Sequence, residues 1–430
     1  MASGSSRVPQ EASLVIVGGG MAGCSLAHHC ARLGRTDLVL LDRDQLTSGA
    51  TWHAAGLCTL FHWDPGVTEL LLRSRDAYRS LDAQTPGGIG WRPVGSLRLA
   101  TDPAQLAEYE AVLLRGRELG LSGSLLDPDA TRLRWPLLDP GGVVGSAHLP
   151  AEGYVDPARA AGAFAGAARE AGARVLTGCA ARAIEAAAHG CWRVVTDQGS
   201  VTTPTLVVAA GQWSPELARP LGVRLPVVGM QHQHGLTAAV AGLRLGKGEL
   251  PVLRDPTASF YIRQDQAGFL CGPFESDPVV VAEEVIAGQR PFQLRPADPD
   301  RLADGLGAAA RRLPILDQIG IRSVVTGIDA YTPDGLPLVG EWPGLPGLVW
   351  LTGFSLFGIA FGAGVGALLA ERLVRGGAAP ALQPLAAQRF GTEPWDDDEL
   401  RQRARATYAA EYRPPAGRRE GLPAGGDDAG

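Results

Sequence analysis

Short apolar runs alternate with helix-length amphipathic segments at the start of the chain. Ser13-Leu14-Val15-Ile16-Val17 has the pattern of a buried strand, as does Leu38-Val39-Leu40-Leu41. Residues 22–33, ending before Gly34, predict a helix between them. Strand and helix are joined by Gly18-Gly19-Gly20-Met21-Ala22-Gly23, which fits G-x-G-x-x-G. In this order the elements make a dinucleotide-binding unit. Gly18 permits the tight turn, Gly20 lets the backbone approach a pyrophosphate, and Gly23 lets the helix pack on the strand. The helix N-terminus then faces the phosphates. Asp42 closes the second strand, roughly 20 residues after the glycines, where an acid can hold a ribose hydroxyl. This unit alone leaves NAD and FAD both open.

Further along, the pattern predicts a helix from Asp156 to Ala171, with Asp156 as cap and Pro157 at its first position. Strands are predicted at Arg174 to Gly178, Trp192 to Thr196 and Thr205 to Ala210. Residues 95–100 and 223–275 have mixed strand character and suggest a separate sheet. Gly344 to Ala370 carries no charge and imitates a membrane span, but it is interrupted by glycines and Pro346. A strand Leu348 to Thr352, a glycine turn and a helix ending near Arg372 fit it better. Asp396 to Tyr412 reads as an amphipathic helix, residues 1–12 as a disordered lead-in, and Pro414 to Gly430 as a flexible tail.

The fold class expected is α/β, α+β overall: a Rossmann-like dinucleotide domain with an inserted mixed or antiparallel substrate sheet. The first domain takes residues 13–94, 143–220 and 323–375, and the second takes 95–142 and 221–322. Residues 376–430 form a C-terminal extension. A ligand would lie between the two.

Composition narrows the class. At 430 residues, 45% hydrophobic and 20% charged, the chain reads as a soluble globular protein of two domains. A net charge of −6 disfavours nucleic acid or an anionic membrane as a partner. The six cysteines form no C-x-x-C pair, so neither a zinc site nor a disulfide framework is expected. With no apolar h-region at the N-terminus, a cytoplasmic location is expected.

The run TSGATWHAAGL, Thr47 to Leu57, adds the chemistry. It is joined by GWRPVGSLRLA (Gly90 to Ala100), VVAAGQWSP (Val207 to Pro215), FYIRQ (Phe260 to Gln264) and TPDGLPLVGE (Thr332 to Glu341). On these five motifs the chain, from Ser13 to Tyr412, resembles the dimethylglycine and sarcosine dehydrogenase family of D-amino-acid-oxidase-like flavoproteins. The resemblance implies FAD, bound covalently through His53 to the 8α-methyl of the ring. Ser48 and Thr51 would offer hydroxyls to the pyrophosphate, unless they cap a short helix. Gly211 and Trp213 match a motif near the flavin, although Trp213 reads equally as core. Gly335, Gly353 and Gly358 match a region where the backbone passes close to the ring. His232 and Tyr261 match the catalytic pair: the histidine would take the ammonium proton and the tyrosine would position the amine. Arg263 is a candidate for the substrate carboxylate or for an ordinary ion pair.

The chain departs from the family pattern at three places. His234 replaces a tyrosine, Ser355-Leu356-Phe357 makes one wall more apolar, and the sequence ends where the family's folate-binding domain would begin. The activity expected is FAD-dependent oxidation of an N-methylated or other secondary or tertiary amino acid to an iminium, which hydrolyses to a dealkylated amine and an aldehyde. Electrons would pass to oxygen or to an electron-transfer protein, and a separate folate-binding protein is a candidate partner. Two rivals stand beside this: a tailoring oxidase acting on a larger amine, and a regulatory homologue without flavin chemistry.

Overall fold

Four-residue apolar strands such as Leu14–Val17 and Leu38–Leu41 are buried along their whole length because helices and a second layer cover both faces of their sheet. This computed structural model describes residues 7–243, 248–393 and 395–412. The first sheet has six strands in the order Leu338–Glu341, Leu348–Thr352, Leu206–Val208, Leu14–Val17, Leu38–Leu41, Arg174–Leu176. All neighbours are parallel except the Leu338–Glu341 edge. The chain leaves Leu14–Val17 for one neighbour and returns on the other side, which opens a crevice at the strand ends.

The uncharged C-terminal stretch resolves into a strand, Leu348–Thr352, and a helix, Gly358–Arg375, packed inside the protein. A Cβ on Gly364 would lie 2.3 Å from the Leu70 carbonyl oxygen, and one on Gly366 would lie 2.7 Å from Ser25 Oγ. The glycines therefore let this helix touch helices Met21–Arg32 and Pro65–Gln84. Ser25 Oγ donates to the Ala363 carbonyl at 2.9 Å and Tyr78 OH to that of Ile359 at 2.7 Å. No helix among the described residues is long and apolar enough to cross a membrane.

The second sheet has nine strands. Its path runs from Val280–Val281 through Val228–Thr237, Gly268–Pro273, Phe260–Asp265, Val252–Asp255, Ser96–Ala100 and Gly145–Leu149 to Ser124–Leu126. Ile321–Tyr331 pairs along the length of Val228–Thr237. The expected domain boundaries shift accordingly. Gly145–Leu149 and Ile321–Tyr331 belong to the second sheet, because they pair in register with Ser96–Ala100 and Val228–Thr237.

Asp156 caps Pro157–Glu170 as expected, with its Oδ1 accepting from Arg159 N. The same Asp-Pro start recurs at Asp64, Asp102, Asp127 and Asp298. Trp192–Thr196 belongs to a separate three-stranded antiparallel sheet. The lead-in is shorter than expected. Ala12 N–H donates to Thr202 O and Thr202 N–H to Gln10 O, so residues 10–12 lie along the edge strand Gly199–Thr203. Residues 1–6 and the tail from 413 lie outside the described residues.

Candidate active site

Two spaces meet at the junction of the sheets. The first is a cleft of about 1640 Å³ at the ends of the parallel strands. Main chain dominates its floor. Gly18 has φ +115°, and a Cβ there would lie 2.3 Å from Ala209 O. A Cβ on Gly23 would lie 2.0 Å from Gly18 O, so this glycine sets the approach of helix to strand. Asp42 Oδ2 accepts from Gly19 N at 2.7 Å, and Oδ1 from Asp44 N at 2.9 Å. Burial raises the Asp42 pKa, and these two amides oppose the rise. Thr51 Oγ1 accepts from Met21 N at 3.1 Å, capping the first helix. Ser48 lines the cleft beside Thr47, whose φ is +70°. Gly211 O accepts from Thr352 Oγ1 at 2.9 Å. Trp213 stacks under the Arg43 guanidinium at 4.1 Å and donates to Ile286 O.

The second space, about 740 Å³, lies against the nine-stranded sheet. It shares Ala50, Ala54, Asp329, Leu356 and Ile359 with the cleft, so the two are continuous. Side chains dominate here. His232 Nε2 lies 3.0 Å from Tyr261 OH. A Cβ on Gly272 would lie 2.2 Å from Tyr261 Cζ, so Gly272 makes room for that ring. Gly327 does the same for His53, whose Cε1 would lie 2.0 Å from a Cβ there. His53 Nε2 is buried without a hydrogen-bond partner. Burial pushes the His53 imidazole down to about 4, so it is neutral. His232 is pushed down to about 3, by burial first and then by His53.

The family described as "FAD dependent oxidoreductase" matches residues 13–372. The chain belongs to this family. It is 35% identical over 371 residues to human mitochondrial dimethylglycine dehydrogenase, covering 85% of this chain and 43% of that protein. It is 33% identical over 415 residues to mouse mitochondrial sarcosine dehydrogenase, covering 95% of this chain and 44% of the other. The chain thus spans less than half the length of these curated relatives. The L-proline dehydrogenase of P. horikoshii shares the fold, with TM-score 0.79 at 22% identity over 89% of this chain and 98% of that one.

The residues present fit FAD. The cleft offers a glycine cradle, an acid at the second strand and a second, uncapped helix N-terminus at Gly358. His53, whose Nε2 is buried without a partner, lines the pocket that adjoins the cleft. Of the residues expected from sequence, Gly18, Gly20, Asp42, Ser48, Thr51, Gly211, Trp213 and Gly358 line the cleft, and His53, His232 and Tyr261 line the pocket. Gly23 acts from behind the cleft.

Two expectations need correction, and the open reading of Arg263 closes on the ion pair. Gly335 and Gly353 line neither space. Gly335 forms a turn closed by its N–H on Thr332 O and sits against Thr407. A Cβ on Gly353 would lie 2.5 Å from Thr332 Cγ2, so it packs the strand connection instead. Arg263 is committed elsewhere: its Nε donates to Ala55 O at 2.7 Å, and Nη1 pairs with Asp265 at 3.2 Å.

Sequence reasoning missed Arg254, Asp329, Glu275 and Tyr408. Arg254 is 6% exposed, lines the pocket, and its Nε has no acceptor. It pairs in register with Tyr261 on one side and Arg98 on the other. Asp329 Oδ2 accepts from Leu356 N at 2.9 Å, holding Leu356 at φ +70° where cleft and pocket meet. Burial lifts its carboxyl to about 6. Tyr408, from helix Asp397–Ala409, reaches His232 Nδ1 at 2.6 Å and Glu275 Oε2 at 3.0 Å. A charged residue inside an apolar strand, V-L-R-D, was the available signal for Arg254.

Proposed function

We propose that this chain is an FAD-dependent oxidoreductase for N-methylated or other secondary and tertiary amino acids. The substrate loses hydride to give an iminium, and water hydrolyses that to the dealkylated amine and an aldehyde. One observation carries the reading: a hydroxyl–imidazole pair, Tyr261–His232, and a buried guanidinium with an unpaired donor, Arg254, share one pocket that opens on the nucleotide cleft.

FAD bound in the cleft, held by the glycine turn and by His53, supplies a two-electron acceptor for the hydride. The protein's part is positioning and proton control. Arg254 holds the substrate carboxylate by charge-assisted hydrogen bonds. Cross-strand partners stand about 5 Å apart, so an amine at Tyr261 with its carboxylate at Arg254 has the span of a short amino acid. The local charge favours such an anion. Arg98 and Arg254 are neighbouring buried cations, and burial pushes the nearby Glu411 carboxyl up to about 8, where it stays protonated. Tyr261 accepts a hydrogen bond from the substrate nitrogen. Leu356 and Phe357 give the pocket an apolar wall that excludes water.

That wall favours a second reading, in which the nitrogen carries a larger apolar substituent than methyl. The electron acceptor, oxygen or an electron-transfer protein, and a separate folate-binding partner belong to the proposal as alternatives for the products' fate. The test begins with acid denaturation of the purified protein. Yellow colour should stay with the polypeptide and become releasable in His53→Ala. Anaerobic bleaching of the flavin by N-methyl amino acids, but not by the matching amines without a carboxylate, is then expected. Colourless protein, even when flavin is supplied during expression, would favour the regulatory rival.

A further inference from the structure

His232 is a poor store for a proton. Its ring is half-buried, with hydrogen-bond partners on both nitrogens, and a neutral imidazole has one N–H to give and one lone pair to accept. Which nitrogen carries the proton is set by what lies beyond. Tyr408 OH touches His232 Nδ1 at 2.6 Å and Glu275 Oε2 at 3.0 Å. Glu275 Oε1 accepts from Gln233 Nε2 at 3.1 Å. An ionised carboxylate only accepts, so Tyr408 must donate to Glu275. Its oxygen then accepts from His232 Nδ1–H. His232 Nε2 is left as a lone pair and accepts from Tyr261 O–H. The Tyr261 oxygen is left with lone pairs facing the pocket.

We propose that Glu275 and Tyr408 form a polarised proton relay with His232 and Tyr261, which makes Tyr261 an acceptor toward the substrate nitrogen and carries that nitrogen's proton out of the pocket. Glu275 and Tyr408 are positioning residues, because they act through His232. The inference rests on the proposed amine oxidation. In the transfer, the substrate N–H bond breaks and an O–H bond forms on Tyr261. The original Tyr261 proton passes to His232 Nε2, the Nδ1 proton passes to Tyr408, and the Tyr408 proton passes to Glu275. No electrons move. Glu275 is partly exposed and can exchange that proton with water. An amine that has lost its proton has the free lone pair that hydride loss requires.

The polarity can be inverted. In Glu275→Gln, the amide oxygen keeps the Gln233 bond and turns its NH₂ toward Tyr408. Tyr408 then donates to His232 Nδ1, and Nε2 carries the proton. Nitrogen NMR of histidine-labelled holoprotein reads this directly, with the His232 signals identified by their loss in His232→Gln. Nδ1–H is expected in the native protein and Nε2–H in Glu275→Gln. An Nε2–H tautomer in the native protein, or no change in the variant, overturns the proposal.

A second variant guards against local rearrangement. Tyr408→Phe should slow anaerobic flavin reduction about 10²-fold for N-methylglycine, which arrives as an ammonium. The loss should disappear for an N-(cyanomethyl)glycine, whose weakly basic nitrogen arrives already neutral. Equal slowing of both amines overturns the relay. Failure of every amine to reduce the flavin in the native protein would sink the amine-oxidase reading instead, and the tautomer result would still stand.

Discussion

The glycine-floored cleft and the proposed substrate pocket adjoin, but they are built by opposite means. The cleft is largely backbone: Gly18, Gly20 and Gly23, helix N-termini, and one acid tied to two amides. The pocket is lined by side chains from a turn and from strands far apart in sequence, His53, His232, Arg254, Tyr261 and Asp329, with Tyr408 of a distant helix behind His232. A backbone site tolerates change in identity but not in space. A side-chain site tolerates change in space but not in identity.

Four perturbations test that contrast, from largest effect to smallest. Gly23→Val forces methyl groups onto the Gly18 carbonyl. Overpacking against main chain costs about 3 kcal/mol or more, so the protein should be recovered without flavin or unfolded, as absorbance and circular dichroism will show. His53→Ala removes an imidazole at the junction without filling space. Acid-stable flavin should fall from all to none, while flavin in the native protein stays bound, as gel filtration before and after acid will report. Arg254→Met keeps the volume and deletes the charge. Charged hydrogen bonds are worth roughly 1.5–3 kcal/mol, so KM for an N-methyl amino acid should rise about 10- to 150-fold. Steady-state kinetics checks this, and kcat at saturating substrate should change much less than KM.

The smallest effect concerns pH and a histidine on the cleft side. His29, in the first helix, packs on Phe164, and burial pushes it down to about 3 with His28 and Arg32 adding to the shift. The unfolded imidazole takes a proton near pH 6.5, while the folded one resists until about 3. Its contribution to stability is therefore full above 6.5 and is lost as pH falls from there toward 3. His29→Asn should flatten the fall in melting temperature across that window by a few degrees. An unchanged slope in calorimetry would show that the ring is not held neutral.

The same contrast explains what the sequence could show. The cleft is local: strand, glycines, helix and Asp42 fall within about thirty residues, and each glycine has a spatial reason. Of the more distant glycines, Gly358 reaches the cleft, but Gly335 and Gly353 serve the connection behind it. Nothing in a single chain distinguishes a glycine beside a ligand from one beside Thr332. In the pocket, His53, His232 and Tyr261 were named through motifs. Arg254 and Tyr408 were not, because strand register and the docking of the last helix bring them in. Arg263 and Arg254 stand nine residues apart on adjacent strands, and only the tertiary structure shows that Arg263 Nε donates to Ala55 O while Arg254 Nε has no acceptor.

The long pairing of Ile321–Tyr331 with Val228–Thr237 acts as a ruler. It sets Gly327 opposite His232 and Asp329 opposite Met230, so the seat of His53 and the anchor of Leu356 share one face. A slip of one residue would turn that face over. Ile328 would replace Gly327 beneath the imidazole, and the carboxylate would point into the core. Insertions that shift this strand are therefore unlike insertions in most loops: a slide of two residues keeps the face but puts Val325 or Asp329 where only Gly327 leaves room for His53, and a slide of one turns the face over.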